Sequence, residues 1–184
     1  ENYTVVNKPS DMPTHQSLRH KDDTLANALA FRYGDRPYVF RAINRLDRDT
    51  SGIVVTANNK FYADILCEKL QNGQFHKSYI AIVEGKTDSE GEIELPIKRA
   101  KESLIERTVS EDGEWALTKY RTVMSCDEVS VLSVTPITGR THQIRVHMSA
   151  IGHPLIGDYI YGKESDLIPR QALHAHSLVI DGIG

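Results

Sequence analysis

One carboxylate, Asp47, stands between two arginines, Arg45 and Arg48, directly after an apolar run. Positive charge nearby lowers the pKa of a carboxyl group, so we expect Asp47 to stay ionised. An ionised aspartate can act as a nucleophile or as a general base. The alternative is a surface ion pair or a turn residue, because such exposed pairs are common and weak. Asp49, just ahead of Thr50, has the sequence context of a turn or a cap.

A second polar cluster runs over residues 138–147 and contains Arg140 and Arg145. We expect Thr141 to cap a short helix there, with Arg145 near the boundary of its apolar face. A buried unpaired charge is costly, so an arginine in that position needs a carboxylate partner, unless its side chain extends to solvent. Arg140 precedes the positive end of the same helix, where a phosphate would be stabilised.

Tyr79 lies at the start of an apolar run that has the composition of a strand. A tyrosine in a half-buried strand is most often part of the core. The functional alternative is an aromatic ring that stacks on a nucleobase.

The chain has eight histidines, but their spacing does not favour a metal site. His142 and His147 are five residues apart, so they do not share a helix face as ligands at i and i+4 would. The sequence has no H-E-x-x-H motif, no G-x-S-x-G elbow and no Walker or Rossmann glycine pattern. We therefore expect neither a metal nor a cofactor. A metal-dependent hydrolase that uses the histidines remains the alternative.

Charge is distributed unevenly along the chain, whose net charge is -3 and whose pI is about 6.3. The average argues mildly against a nucleic-acid binder, since such domains are often strongly basic. Basic residues nevertheless gather around Asp47, over residues 98–101, and over residues 140–147. A basic cleft on an acidic body is compatible with RNA binding.

The remaining composition is that of one globular domain of 184 residues with 40% hydrophobic content. Cys67 and Cys126 form no C-x-x-C motif, which indicates reduced residues of a cytoplasmic protein. No apolar run approaches the length of a membrane span. We expect a monomer that does not associate with a membrane.

Hydrophobic periodicity predicts more strands than helices. Helices are predicted over 24–33, with Asp23 as a candidate cap, over 60–71, with Phe61 on the apolar face, and after Thr141. Strands are predicted over residues 3–6, 38–43, 52–56, 76–84, 91–97, 104–109, 115–124, 129–136 and 173–180. This pattern indicates an α+β domain, a mixed and largely antiparallel sheet flanked by helices.

Several motifs, in order, resemble the RluA-type RNA pseudouridine synthases over nearly the whole chain. They are Asn7-Lys8-Pro9, Asn44-Arg45-Leu46-Asp47-Arg48-Asp49-Thr50-Ser51-Gly52, His76-Lys77-Ser78-Tyr79, Thr138-Gly139-Arg140-Thr141-His142-Gln143-Ile144-Arg145-Val146-His147, Gly152-His153-Pro154-Leu155-Ile156-Gly157-Asp158, Tyr161-Gly162 and Ala172-Leu173-His174-Ala175. Many members have histidine where this chain has Asn44, which we interpret as a scaffold position.

The resemblance implies a fold with a central active-site cleft and a reaction that isomerises uridine to pseudouridine in RNA without a cofactor. It implies that Asp47 is the catalytic group, that Tyr79 contacts the flipped base and that Arg145 pairs with the aspartate. Arg45 matches an arginine that in some members fills the gap left by the flipped nucleotide. The residues expected to contact RNA are Arg45, Arg48, Lys98, Arg99, Lys101, Arg140 and His142.

The resemblance leaves the RNA open. The small N-terminal RNA-binding domain of many members is absent from this chain, so we expect a single catalytic domain over residues 1–184. The substrate is a structured RNA, either ribosomal or transfer RNA. Whether Asp47 attacks the sugar or assists elimination is also open. The competing interpretation is a non-catalytic RNA-binding module that keeps the same cleft.

Overall fold

The computed structural model describes residues 2–34 and 38–183 of the chain. These residues form, in order, β1 (Tyr3–Lys8), α1 (Leu25–Arg32), β2 (Ser51–Ala57), α2 (Lys60–Gln71), β3 (Phe75–Glu84), β4 (Glu90–Glu94), β5 (Ile97–Arg99), β6 (Arg107–Val109), β7 (Leu117–Ser125), β8 (Val129–Pro136), α3 (Gln143–Ala150) and β9 (Leu173–Ile180). The main sheet has the order β1-β2-β9-β3-β8-β7-β4, and β5 pairs with β6. The pairs β1/β2, β3/β8, β4/β7, β7/β8 and β5/β6 are antiparallel. The predicted α+β fold with a largely antiparallel sheet is confirmed.

The chain divides into two compact units. Unit 1 contains residues 1–76 and 177–184, and unit 2 contains residues 77–176. Asp47 belongs to unit 1, whereas Tyr79 and Arg145 belong to unit 2. A single catalytic domain over the whole chain stays a prediction, and so does the cleft.

The core of unit 1 lies between strand β2 and helix α2. Leu66 of α2 is fully buried and clusters with Val55 and Phe75. The helix begins at Asn59, whose side-chain oxygen accepts a hydrogen bond from the Tyr62 backbone N–H at 2.9 Å. Such a cap satisfies one of the N–H groups that the first turn leaves without a partner. The cap stabilises the first turn of α2, and the packing of Leu66 holds the helix against the sheet.

The core of unit 2 lies beneath helix α3. Every second residue of β8 is buried, as expected for a strand with one face in the core. Val146 of α3 packs with Ile97 and Ala116. The strands predicted over residues 115–124 and 129–136 correspond to β7 and β8, which pair in antiparallel register.

Two predictions in unit 1 are wrong. The cap of α1 is Thr24 and not Asp23, because the Thr24 hydroxyl and the Asn27 side chain form a reciprocal capping box. Residues 38–43 do not form a strand, and pairing in this region is limited to a bridge between Ala42 and Thr56. A run rich in strand formers stays irregular when it has little backbone to pair with.

Two predictions about helices are also wrong, one about a buried face and one about a cap. Phe61, expected on the apolar face of α2, is 69% exposed. Thr141 does not cap α3, because the residue at the N-cap is His142. Helical spacing identifies a face only to within about one residue, and caps depend on backbone angles that spacing does not encode.

Candidate active site and basic groove

The loop that carries Asp47 is fixed at its start by Asn44. The Asn44 side chain donates to the Ile53 carbonyl oxygen at 2.9 Å and accepts from the Val55 N–H at 2.8 Å. It therefore occupies the place of a neighbouring strand along β2. The scaffold role expected for this position agrees with these bonds.

The same loop is fixed on either side of Asp47. The Thr14 hydroxyl donates to the Leu46 carbonyl oxygen at 3.0 Å and accepts from the Leu46 N–H at 3.2 Å. After the aspartate, the Thr50 N–H donates to the Asp47 carbonyl oxygen at 3.2 Å. Asp47 is partly exposed. A reactive group needs this combination of a fixed backbone and an accessible side chain.

Lys8, at the end of β1, is hydrogen-bonded to this loop. Its side chain is fully buried, and its ammonium donates to the carbonyl oxygens of Pro9 at 2.8 Å, Met12 at 2.7 Å and Arg48 at 3.0 Å. A buried ammonium is costly unless hydrogen bonds compensate it. These bonds provide that compensation and tie the turn after β1 to the residue that follows Asp47.

Lys8→Met is expected to lower the free energy of unfolding by about 2 kcal/mol, because charge-assisted hydrogen bonds are lost and buried carbonyl groups lose their donor. Removing the buried charge offsets part of the loss. Urea unfolding checks the value. Lys60→Met, at an exposed lysine of the same unit, is the control. Equal unfolding free energies for the two variants would show that Lys8 does not brace the loop.

The two arginines beside Asp47 differ in their surroundings. Arg48 donates through Nε and Nη2 to the two carboxylate oxygens of Asp49, at 3.0 and 3.1 Å, and lies 3.6 Å from Asp11. Arg45 is exposed. The pKa of His15 is lowered mainly by the burial of its ring and, second, by the charge of Arg45. Asp49 is therefore an ion-pair partner of Arg48, and contact between Arg48 and RNA stays a prediction.

Tyr79 lies in β3 opposite Val134 and is 8% exposed. Two residues earlier, burial lowers the pKa of the Lys77 ammonium. A side-chain carbon added at Gly139 would lie 3.8 Å from Lys77 Nζ. The amine thus lies beside the turn that leads into α3. Motif reading passed over Lys77, because burial cannot be inferred for a lysine from sequence.

Arg145 forms a buried, two-pronged ion pair with Asp158. Its Nε donates to one carboxylate oxygen at 2.7 Å and its Nη2 to the other at 2.8 Å, and the side chains are 4% and 0% exposed. The guanidinium also lies 5.0 Å from the centre of the Tyr161 ring. Asp158 further accepts from the N–H groups of Ile160 and Tyr161.

Asp158 is therefore a carboxylate partner of Arg145, as the cost of a buried charge required. Sequence reasoning assigns no role to Asp158. A signal was available, since Asp158 is the first acidic residue after Arg145. Burial alone would raise the pKa of Asp158, but hydrogen bonds and charge from Arg145, with the two backbone donors, lower it. The pairing of Arg145 with Asp47 stays a prediction.

The start of α3 is pinned to β7 by one side chain, Gln143. Its Nε2 donates to the Leu117 carbonyl oxygen at 3.0 Å, and its Oε1 accepts from the Arg140 N–H at 3.0 Å. His142, just before it, has a left-handed backbone with φ of 57°, and its Nδ1 lies 2.8 Å from the Tyr161 hydroxyl. The turn expected to bind phosphate is therefore held by hydrogen bonds on both sides.

Three of the residues expected to contact RNA line one groove of about 350 Å³ in unit 2. The lining residues are Ile97, Lys98, Arg99, Arg107, Glu114, Gly139, Arg140 and Thr141. Sequence reasoning did not single out Arg107, which pairs with Arg99 in the β5/β6 register. Lys101 is exposed in the turn between β5 and β6, outside this lining.

Two of the groove cations hold acidic neighbours. Lys98 Nζ lies 2.5 Å from Asp112, and this hydrogen bond is the main reason that the pKa of Asp112 is lowered to about 2. Arg140 Nη1 lies 2.5 Å from Glu114. Pairs this exposed are weak, so a polyanion can displace them. Phosphate binding in this groove stays a prediction.

In the part of the chain that the structure describes, no group of three or more histidine, cysteine, aspartate or glutamate side chains could hold a metal ion. Over residues 2–34 and 38–183, none of the helices combines the length and apolar character needed to cross a bilayer.

Known proteins resemble this chain along most of its length. A family model described as RNA pseudouridylate synthase matches residues 2–150. A Bacillus subtilis (strain 168) protein named uncharacterized RNA pseudouridine synthase YjbO is 41% identical, over 97% of this chain and 64% of its own. Ribosomal large subunit pseudouridine synthase D of Borreliella burgdorferi is 36% identical, over 98% of this chain and 58% of its own.

Among solved structures, human RNA Pseudouridylate Synthase Domain Containing 1 has a TM-score of 0.83 and 31% identity. The match covers 98% of this chain and 75% of that one. The chain spans about three-fifths of the length of the two curated relatives.

Proposed function

Since this chain belongs to the RNA pseudouridylate synthase family, we propose that it isomerises uridine to pseudouridine in RNA, with Asp47 as the catalytic group. The observation that carries the proposal is the loop of Asp47, whose backbone is hydrogen-bonded on both sides while the aspartate stays accessible. The family assignment supports the reaction type. The cytoplasm is the proposed location, and a monomer is the proposed state.

The reaction requires that the uridine leave its stack, because a base inside a helix cannot be reached. The bond between C1′ and N1 then breaks, the base turns, and C5 bonds to C1′. C5 loses a proton and N1 gains one, so the reaction needs no oxidant or reductant. Asp47 either attacks C1′ or assists elimination at the sugar, and both routes use its ionised form.

The roles of the other residues follow from their surroundings. Tyr79, buried along β3, supplies an aromatic face for the detached base. Arg145, held rigidly by Asp158, supplies a positive charge for the carboxylate of Asp47. Arg45, exposed in the Asp47 loop, enters the space that the flipped nucleotide leaves. His142 and Arg48 are proposed to contact the RNA backbone.

The proposed substrate is a structured RNA, with ribosomal RNA as the first candidate and transfer RNA as the second. The Borreliella burgdorferi relative carries ribosomal large subunit in its name. Pseudouridine mapping in total RNA from cells with and without the gene tests the proposal. Adding purified protein to RNA from the deletion strain should restore the missing sites.

The proposed activity would be overturned if deletion of the gene removed no pseudouridine and the purified protein formed none. If the protein still bound RNA tightly under those conditions, the competing interpretation of a non-catalytic RNA-binding module would replace it.

Arg99→Ala is expected to weaken RNA binding three- to tenfold and to reduce its salt dependence. Each phosphate neutralised by a cation releases counterions, so one fewer contact lowers the slope of log affinity against log salt by about 0.7 to 0.9. Binding titrations between 50 and 200 mM salt, roughly the range in which such slopes are clear, measure it. Lys86→Ala, at an exposed lysine of the same unit, is the control. A slope equal to that of wild type would place Arg99 away from the backbone.

A further inference from the structure

Tyr161 contacts two parts of unit 2 that differ in their proposed roles. Its ring lies 5.0 Å from the guanidinium carbon of Arg145. Its hydroxyl accepts a hydrogen bond from the Arg107 N–H at 2.8 Å. Arg107 is the first residue of β6 and is one of the residues that line the basic groove. One side chain therefore meets both the ion pair of Arg145 and the hairpin of β5 and β6.

The position of Tyr161 is itself fixed from several directions. Its N–H donates to Asp158 at 3.2 Å, and its carbonyl oxygen accepts from the Ser149 hydroxyl at 2.7 Å. Its hydroxyl shares a hydrogen bond with His142 Nδ1 at 2.8 Å. A ring held at both ends cannot shift without disturbing a neighbour, and this rigidity is what a positioning group requires.

The ring and the hydroxyl act on different neighbours. A guanidinium over a tyrosine face is attracted by the ring quadrupole, and the attraction restricts the tilt of the guanidinium plane. The hydroxyl gives the backbone of β6 a fixed point in a hairpin whose strands have three residues each. Two strands of that length have little stability of their own.

We propose that Tyr161 is a positioning residue that orients Arg145 through its ring and anchors the basic β5–β6 hairpin through its hydroxyl. The proposal rests on the proposed function in so far as Arg145 serves catalysis and the hairpin meets RNA. The contacts of Tyr161 with Arg145 and with the Arg107 N–H can be measured without enzymatic turnover.

Tyr161→Phe and Tyr161→Leu separate the two contacts, and Tyr159→Phe, at an exposed tyrosine two residues earlier, is the matched control. Tyr161→Phe removes the hydroxyl and keeps the ring. We expect the Arg107 backbone N–H to exchange with solvent at least tenfold faster and RNA to bind three- to tenfold more weakly. The single-turnover rate at saturating RNA should fall by less than about threefold.

Tyr161→Leu also removes the ring. We expect the same weaker binding, a single-turnover rate at least tenfold below that of Tyr161→Phe, and faster exchange of the Arg145 Nε proton followed by nuclear magnetic resonance. Equal rates and equal Nε exchange in the two variants would overturn the role of the ring. Unchanged Arg107 exchange in Tyr161→Phe would overturn the role of the hydroxyl.

Further results distinguish the positioning role of Tyr161 from a merely structural role and from failure of the proposed function. A lower melting temperature with an unchanged rate per folded molecule would mean that Tyr161 is merely structural, and would overturn the proposal. If wild type makes no pseudouridine, the proposed function fails, while the exchange of Arg107 and Arg145 still decides whether Tyr161 positions them. If wild type is active and neither exchange rate responds, the positioning role fails alone.

Discussion

Asp47→Asn is expected to reduce pseudouridine formation by about a thousandfold or more, while folding and RNA binding stay close to wild type. The amide is nearly isosteric with the carboxylate, so the bonds that hold the loop through Asn44 and Thr14 should persist. An amide is neither a competent nucleophile nor a general base, and such groups contribute factors of this order. Single-turnover assays at saturating RNA measure the loss.

Asp64→Asn, at an exposed aspartate of helix α2, is the control for charge. It should match wild type in rate. A residual rate in Asp47→Asn above a few per cent of wild type would remove Asp47 from the chemistry, whatever the control shows.

Arg145→Leu is expected to lower the free energy of unfolding by about 3–5 kcal/mol and to abolish detectable turnover. The substitution leaves the Asp158 carboxylate buried without its guanidinium, and breaking a buried pair from one side has a cost of this size. Arg145→Lys should be milder in both respects, because it keeps the charge and loses the planar fork. Chemical denaturation and single-turnover assays give the two quantities.

The pH dependence of stability identifies the partner. In wild type the pKa of Asp158 is lowered, so the pair stabilises the fold above the unfolded pKa of about 3.9, and this contribution is lost as the pH falls through the folded pKa. In Arg145→Leu the lone carboxyl group should have a raised pKa, so protonation relieves it. The stabilities of the two proteins should therefore converge as the pH falls.

A double variant, Arg145→Leu with Asp158→Asn, separates stability from catalysis. The neutral amide can still accept from the N–H groups of Ile160 and Tyr161, so much of the stability should return. Turnover should not return, since Arg145 is proposed to act on Asp47. Recovered turnover would show that Arg145 serves the fold alone.

Elements of the fold whose signal lies in a short stretch of sequence could be predicted. The bounds of α2 and β9 match the sequence prediction, because each has a clear periodicity and a polar or glycine boundary. Residues 38–43 were misread because a strand also needs a partner, which propensity does not supply. Phe61 was misplaced because spacing alone does not show which side of a helix meets the sheet.

The candidate site was predictable where its residues are close in sequence. Asp47 and Arg145 stand out by type and context, and the need of Arg145 for a carboxylate followed from the cost of a buried charge. Asp158 was available as the next acidic residue. The bond from Lys8 to Arg48 and the bond from Arg107 to Tyr161 were not predictable, since they span forty and fifty-four residues and depend on tertiary folding.

The left-handed backbone of His142 restricts which side chains position 142 accommodates without strain. Branched side chains are strained at a φ of 57°, whereas glycine, asparagine, aspartate and histidine tolerate it better. Of these, histidine carries a ring nitrogen far enough from the backbone to meet the Tyr161 hydroxyl. Backbone geometry and hydrogen bonding thus favour the same residue for independent reasons.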